Sequence, residues 1–135
     1  MKVLVCGGRT WGEVVIPRGA PPHLVEAARA HAKAQKDTLC RVLDDFAPPI
    51  TFLIQGGARG ADRCALEWVM AKRLPNKTYK ANWERHGRAA GPIRTQFMLD
   101  DGKPDLVLAF PGGDGTADMV SRAQKGGYKV VEVKL

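Results

Sequence analysis

The chain has 135 residues, 44% hydrophobic and 26% charged, with 21 Lys and Arg against 14 Asp and Glu for a net charge of +7. That length supports one domain burying about two-thirds of its unfolded surface, so 1–135 is read as a single unit. The composition suits neither a disordered chain nor a membrane protein, no apolar run approaches the ~20 residues that a bilayer requires, and the excess of cations favours an anionic partner.

The first predicted element is a strand at 3–6, where Val3, Leu4, Val5 and Cys6 make a short apolar run. A long loop over 8–22 follows, whose three prolines suit a lid or flap, and Trp11 within it is placed to cover a bound base. Leu24, Ala28, Ala32, Leu39, Val42, Leu43 and Phe46 recur at three- and four-residue steps, predicting a helix over 22–46 that Pro48 and Pro49 end. A strand at 50–54 and a helix at 61–73 come next, then a strand at 78–81. Pro92 suits the first turn of a third helix that continues through Met98 and Leu99. A strand at 106–110, a helix at 116–125 closed by Gly126 and Gly127, and a strand at 129–133 complete the chain. The intervals between strands are too long for hairpins. The expected architecture is therefore α/β: a Rossmann-like three-layer fold with a mostly parallel five-stranded sheet in the order 3-2-1-4-5.

Cys6, Cys40 and Cys64 are odd in number and widely spaced, which predicts reduced core thiols and, with no leader-like amino terminus, a cytoplasmic chain. His23, His31 and His86 are dispersed, so neither a metal nor a cofactor is expected.

Three glycine clusters each follow a predicted strand directly. They are Gly7-Gly8-Arg9-Thr10, then Gln55-Gly56-Gly57-Ala58-Arg59-Gly60-Ala61-Asp62, then Pro111-Gly112-Gly113-Asp114-Gly115-Thr116. In a parallel sheet all strand carboxyl ends lie on one edge, where helix amino termini arrive with unpaired N–H groups and a partial positive charge. Phosphate fits such an edge, and glycine permits the close backbone approach it needs. With the expected strand order the first and last clusters flank the topological switch point. No Walker A loop and no GxGxxG is present, which argues against P-loop hydrolysis and ordinary nicotinamide chemistry.

Individual side chains carry alternatives. Arg9, Arg59 and Arg94 sit in or beside the loops, either gripping phosphate or lying as solvated surface charge. Asp62 caps free N–H groups, or meets a ribose hydroxyl, or serves as a general base. Asp114 is expected to be exposed, and Thr116 to cap its helix while donating to phosphate. Trp83, close to Arg85 and Arg88, either stacks on a base or packs beneath its loop, whereas Trp68 lies in a helical apolar pattern and belongs to the core.

These signatures, together with Trp83, Gly87, Ala90-Gly91-Pro92-Ile93-Arg94 and Met98, resemble the YspA-like, cpYpsA-related branch of the SLOG superfamily over nearly the whole chain. That superfamily includes DNA-processing protein A and the Lonely guy enzymes. The resemblance implies binding of nucleotides or nucleotide-derived ligands, ADP-ribose-like signals included, with glycine loops holding phosphate. The chain departs from the pattern twice. Lonely guy enzymes carry a glutamate for N-glycosidic cleavage where this chain has Met119, and the relatives' Arg-Asn pair is Arg94-Thr95 here.

The functional expectation is a sensor or sequestering protein for a phosphate-bearing nucleotide-type small molecule. The alternative is a nucleotide phosphoribohydrolase in which Asp62, or less favourably Asp118, replaces the missing glutamate. Single-stranded nucleic acid is the third partner class and ranks last, no membrane partner is expected, and a homo-oligomer stays open.

Overall fold

The computed structural model describes residues 1–134. Five parallel strands form one sheet in the order β3-β2-β1-β4-β5: β1 Lys2–Cys6, β2 Phe52–Gln55, β3 Asn76–Thr78, β4 Leu106–Ala109 and β5 Val130–Glu132. Helices connect them: α1 Pro22–Asp44, α2 Ala61–Ala71, α3 Trp83–His86, α4 Ala90–Gly102 and α5 Asp114–Lys125. The chain leaves β1 toward β2 and β3 on one side and returns past it to β4, so the switch point lies between β1 and β4.

Alternation along β1 builds two cores. Val3 and Val5 face Leu39 and Leu43 of α1 and Ala65, Trp68 and Val69 of α2. Leu4 and Cys6 face the opposite side, against Met98 and Leu99 of α4 and Met119, Val120 and Ala123 of α5. Both faces of β1 and β4 are buried, which is why those strands read as continuous apolar runs rather than alternating ones. Trp68 is in the core as expected, its indole N–H donating to Asp44 Oδ1 at 2.9 Å. The three cysteines are free thiols, with Cys6 and Cys64 buried. Among the described residues no helix is long and apolar enough to cross a membrane.

Three expectations are corrected. The third strand lies at Asn76–Thr78 and not at 78–81, because pairing with Leu53, Ile54 and Gln55 of β2 sets the register, leaving Lys80 and Ala81 to the loop beyond. Trp11 covers no ligand: it is buried against Phe110, ring centroids 5.5 Å apart. Its loop is pinned at this end, where Gly12 N–H donates to Gln35 of α1 at 2.8 Å, while Val14, Val15 and Ile16 further along are exposed. The third helix is also longer than expected, opening with α3 and a short 3-10 turn at Gly87–Ala89.

Gly60, which precedes α2, has φ +81, and a Cβ there would run into the Gly8 carbonyl and the Arg9 main chain. A left-handed backbone alone costs a side-chain-bearing residue about 1–2 kcal/mol, and the collision is with backbone that cannot rotate away. Gly60→Ala is expected to lower unfolding stability by about 3 kcal/mol or more in urea titration.

Candidate functional site

The loops after β1, β2 and β4 converge at the carboxyl edge of the sheet. Gly8 N–H donates to Pro111 O at 3.0 Å, and Gly8 O accepts from Ala61 N–H at 3.1 Å, so the first loop is tied to both others. Between them opens a cavity of about 710 Å³. Its rim carries Gly7, Gly8, Arg9, Thr10, Gly56, Ala58 and Asp62 from the first two loops, and Pro111, Gly112, Gly113, Asp114, Gly115 and Thr116 from the third. Cys6, Thr95, Met98 and Met119 line it from the strands and helices, and Trp83, Gly91, Pro92 and Arg94 from the α3–α4 segment.

The amino terminus of α5 faces this space without a side-chain cap. Its first-turn N–H groups precede any intrahelical partner and carry the positive end of the helix dipole. A Cβ at Gly113 or Gly115 would meet nothing within 4 Å, whereas one at Gly112 would lie 2.7 Å from Gly8 N. Gly112 is therefore required for loop packing, and Gly113 borders open space.

Gln55, fully buried at the end of β2, shapes the second loop. Its Oε1 accepts from Gly57 N–H at 2.6 Å and its Nε2 donates to Thr78 Oγ1 at 2.6 Å. Asp62 does not cap α2, whose start has no side-chain cap: its Oδ2 accepts instead from the loop N–H of Ala58 at 3.1 Å, and the same carboxyl group lines the cavity. Burial pushes its pKa up to about 6, against the opposing pull of the Ala58 N–H, the Arg94 charge, the Gly56 N–H and the Arg9 charge. Burial likewise holds the Cys6 thiol up at about 12, with Asp62 and Glu132 adding to the shift, so Cys6 stays protonated near neutrality.

Arg94 does more than line the cavity. Its Nη1 donates to Gly56 O and, at 3.2 Å, to Tyr79 O, bracing the loop after β2 against the chain leaving β3. Trp83 is half exposed at the cavity mouth and not packed under its loop. Asp114 is exposed and Thr116 partly so.

Not every expected residue is brought together. Gly57 and Arg59 line a smaller adjoining cavity instead, Gly60 lines neither, and Arg88 lies exposed in the 3-10 turn beside neither. Lys80, Thr95 and Met119 were absent from the expected contact set, although Lys80 directly follows the β3 edge and Thr95 directly follows Arg94. Among the described residues no cluster of His, Cys, Asp and Glu has the arrangement to hold a metal ion.

Residues 1–86 match the family described as YspA, cpYpsA-related SLOG. The Gene 61 protein of Mycobacterium phage D29 is 38% identical over 86 residues, which is 58% of this chain and 68% of that protein. No solved structure matches the chain.

The raised pKa of Asp62 has a definite pH consequence. An ordinary carboxyl in the unfolded chain ionises near 3.8 while the folded one holds its proton to about 6, so the folded state binds more protons between these values. Stability from this group is present below pH 4 and is lost as pH rises through 6, by about 3 kcal/mol at most. Asp62→Asn, which keeps an oxygen for Ala58 N–H, is expected to gain stability over the wild type between pH 4 and 7. Thermal denaturation at pH 4, 5, 6 and 7 checks this: a constant difference in Tm would mean that Asp62 is not raised.

Proposed function

Because the chain belongs to the YspA, cpYpsA-related SLOG family, we propose that it binds a phosphate-bearing nucleotide or nucleotide-derived ligand, ADP-ribose-like molecules included, as a sensor or sequestering protein. The observation that carries this reading is the uncapped α5 amino terminus, which opens with Gly113 and Gly115 into a cavity walled by apolar side chains. Oriented N–H groups at a helix start favour phosphate, and an apolar wall with a few polar groups favours a nucleoside. Met98 and Met119 supply adaptable apolar surface, Thr95 a hydroxyl, and Trp83 a flat ring at the mouth on which a base can stack.

Gly113→Asp tests this reading. Gly113 has φ −100 and open space around its Cβ position, so the substitution is compatible with the fold. The added carboxylate sits where the phosphate would be held and repels it. Titration calorimetry with adenosine 5′-monophosphate is expected to show binding to the wild type and at least a tenfold loss in the variant, with unchanged circular dichroism. Equal affinity in both would remove the phosphate from this cradle.

One observation favours a second, enzymatic reading. Asp62 is a buried, cavity-lining carboxyl group with its pKa at about 6, suited to exchanging a proton near neutrality. In that reading it assists hydrolysis of a nucleotide N-glycosidic bond, taking over from the glutamate replaced by Met119. Base release from nucleoside monophosphates, followed by chromatography, separates the readings. The binding protein is expected to release none, and turnover that disappears in Asp62→Asn would make Asp62 catalytic.

A further inference from the structure

The second cavity, about 480 Å³, adjoins the first and shares Arg9, Trp83 and Arg94 with it. Its charge is different in kind. The larger cavity mixes two arginines with Asp62, Asp114 and Asp118, whereas the smaller is lined by Arg9, Arg59, Lys80 and Arg94 and by no acidic side chain. Among the described residues, none of these four cations forms an ion pair within 4 Å. Arg94 alone among them is engaged by hydrogen bonds, and it donates to main-chain carbonyls, which leave its charge in place.

Arg9, Arg59 and Lys80 are exposed, so solvent screens their mutual repulsion, but an anion entering the concavity meets cations from several sides. Arg9 and Arg59 come from separate turns of the first and second loops and Lys80 from the segment beyond β3, so the cluster is assembled from three places in the sequence. Its position is also specific. The shared wall lets one molecule extend from the α5 amino terminus past Trp83 into the cationic cavity.

We propose that the ligand carries two phosphoryl groups, the first at the α5 amino terminus and the second in the cavity lined by Arg9, Arg59 and Lys80. This rests on the nucleotide-binding reading above and narrows it to a bisphosphorylated or pyrophosphate-bearing nucleotide. The guanidinium groups of Arg9 and Arg59 suit bidentate contact with phosphate oxygens, with Lys80 adding a point charge. A long single strand of nucleic acid is the less favoured occupant, because the cations converge on one pocket rather than following a track, and among the described residues Trp83 is the only aromatic one lining either cavity.

The test compares adenosine 5′-monophosphate, adenosine 5′-diphosphate, adenosine 3′,5′-bisphosphate and a single-stranded oligonucleotide by titration calorimetry. Wild type and the Arg59→Ala/Lys80→Ala double variant are used, with Arg29→Ala/Arg41→Ala on α1 as a control for the general field. In the wild type one of the two diphosphorylated probes is expected to bind at least tenfold tighter than the monophosphate. The diphosphate arm identifies adjacent phosphoryl groups, and the bisphosphate arm identifies groups on separate arms of the ribose. In the double variant this ratio is expected to fall to within about twofold of unity, and in the control variant to persist. Three results would overturn the inference: no preference over the monophosphate in the wild type, an equal loss of the ratio in the control, or an oligonucleotide that outcompetes both probes with a salt dependence of several phosphates. Monophosphate binding without any such preference would sink this inference and leave the nucleotide reading standing. Absence of binding by every probe would sink both.

Discussion

Three loops meet at the carboxyl edge of the sheet through their main chains, and no side chain fits between them. A Cβ at Gly7 would lie 2.6 Å from that of Ala61, one at Gly112 would press on Gly8, and one at Gly60 would overlap the Gly8 carbonyl. Glycine at these places is a steric condition for closing the site. The consequence reaches function, because loops that touch backbone to backbone also hold their N–H groups in fixed directions, and a preorganised cradle binds an anion without ordering flexible segments first. Gly113 and Gly115 are of another kind. They pack against nothing, so their value lies in the bare surface they present.

The same close approach concentrates electrostatic cost. Asp62 loses most of its water when the loop after β2 folds over it, and Ala58 N–H with the nearby Arg94 charge offsets only part of that loss. Arg94 is itself half-buried, and burial holds its pKa below the usual arginine value, with Asp62 opposing the drop and Arg9 adding to it. The pair is coupled through the loop as well as through charge: Arg94 donates to Gly56 O while Asp62 accepts from Ala58 N–H, so each grips the same turn from a different side. Removing either side chain therefore acts on loop geometry and on local potential together, which makes Arg94 a strut of the loop.

The fold was legible because its signals are local and repeated. Short apolar runs separated by helical stretches admit few parallel arrangements, of which 3-2-1-4-5 is a common doubly wound one. The third strand was misplaced because its residues, Asn76, Lys77 and Thr78, are polar: it sits at the sheet edge, where pairing with β2 and not side-chain burial decides its extent. Trp11 was misread for a related reason. A tryptophan in a proline- and glycine-rich loop carries no periodic sign of burial, and only the fold brings Phe110 beneath it. At the site the gathering of the glycine clusters at one edge of the sheet was legible, but the division into two cavities was not. Arg9, Arg59 and Lys80 are far apart in sequence, and their convergence on one concavity depends on the loop path after β2 and the early end of β3.

Met119 bears most directly on what the cavity can do. It is 3% exposed and lines the cavity, so at this point the α5 side offers an apolar thioether and not a proton-exchanging group. Its neighbour Asp118 does not take over. Both of its carboxylate oxygens accept from Arg122 Nε, at 2.9 and 3.0 Å, one helical turn away, so they are already engaged along the helix. Asp114 is exposed at the helix start. That leaves Asp62, on α2 across the cavity, as the lining carboxyl group with its pKa drawn toward neutrality. Proton exchange with anything bound in the cavity is thus offered from the α2 side, across from α5. The α5 side offers its uncapped helix start and the apolar surface of Met119, so the two walls of the cavity differ in chemistry.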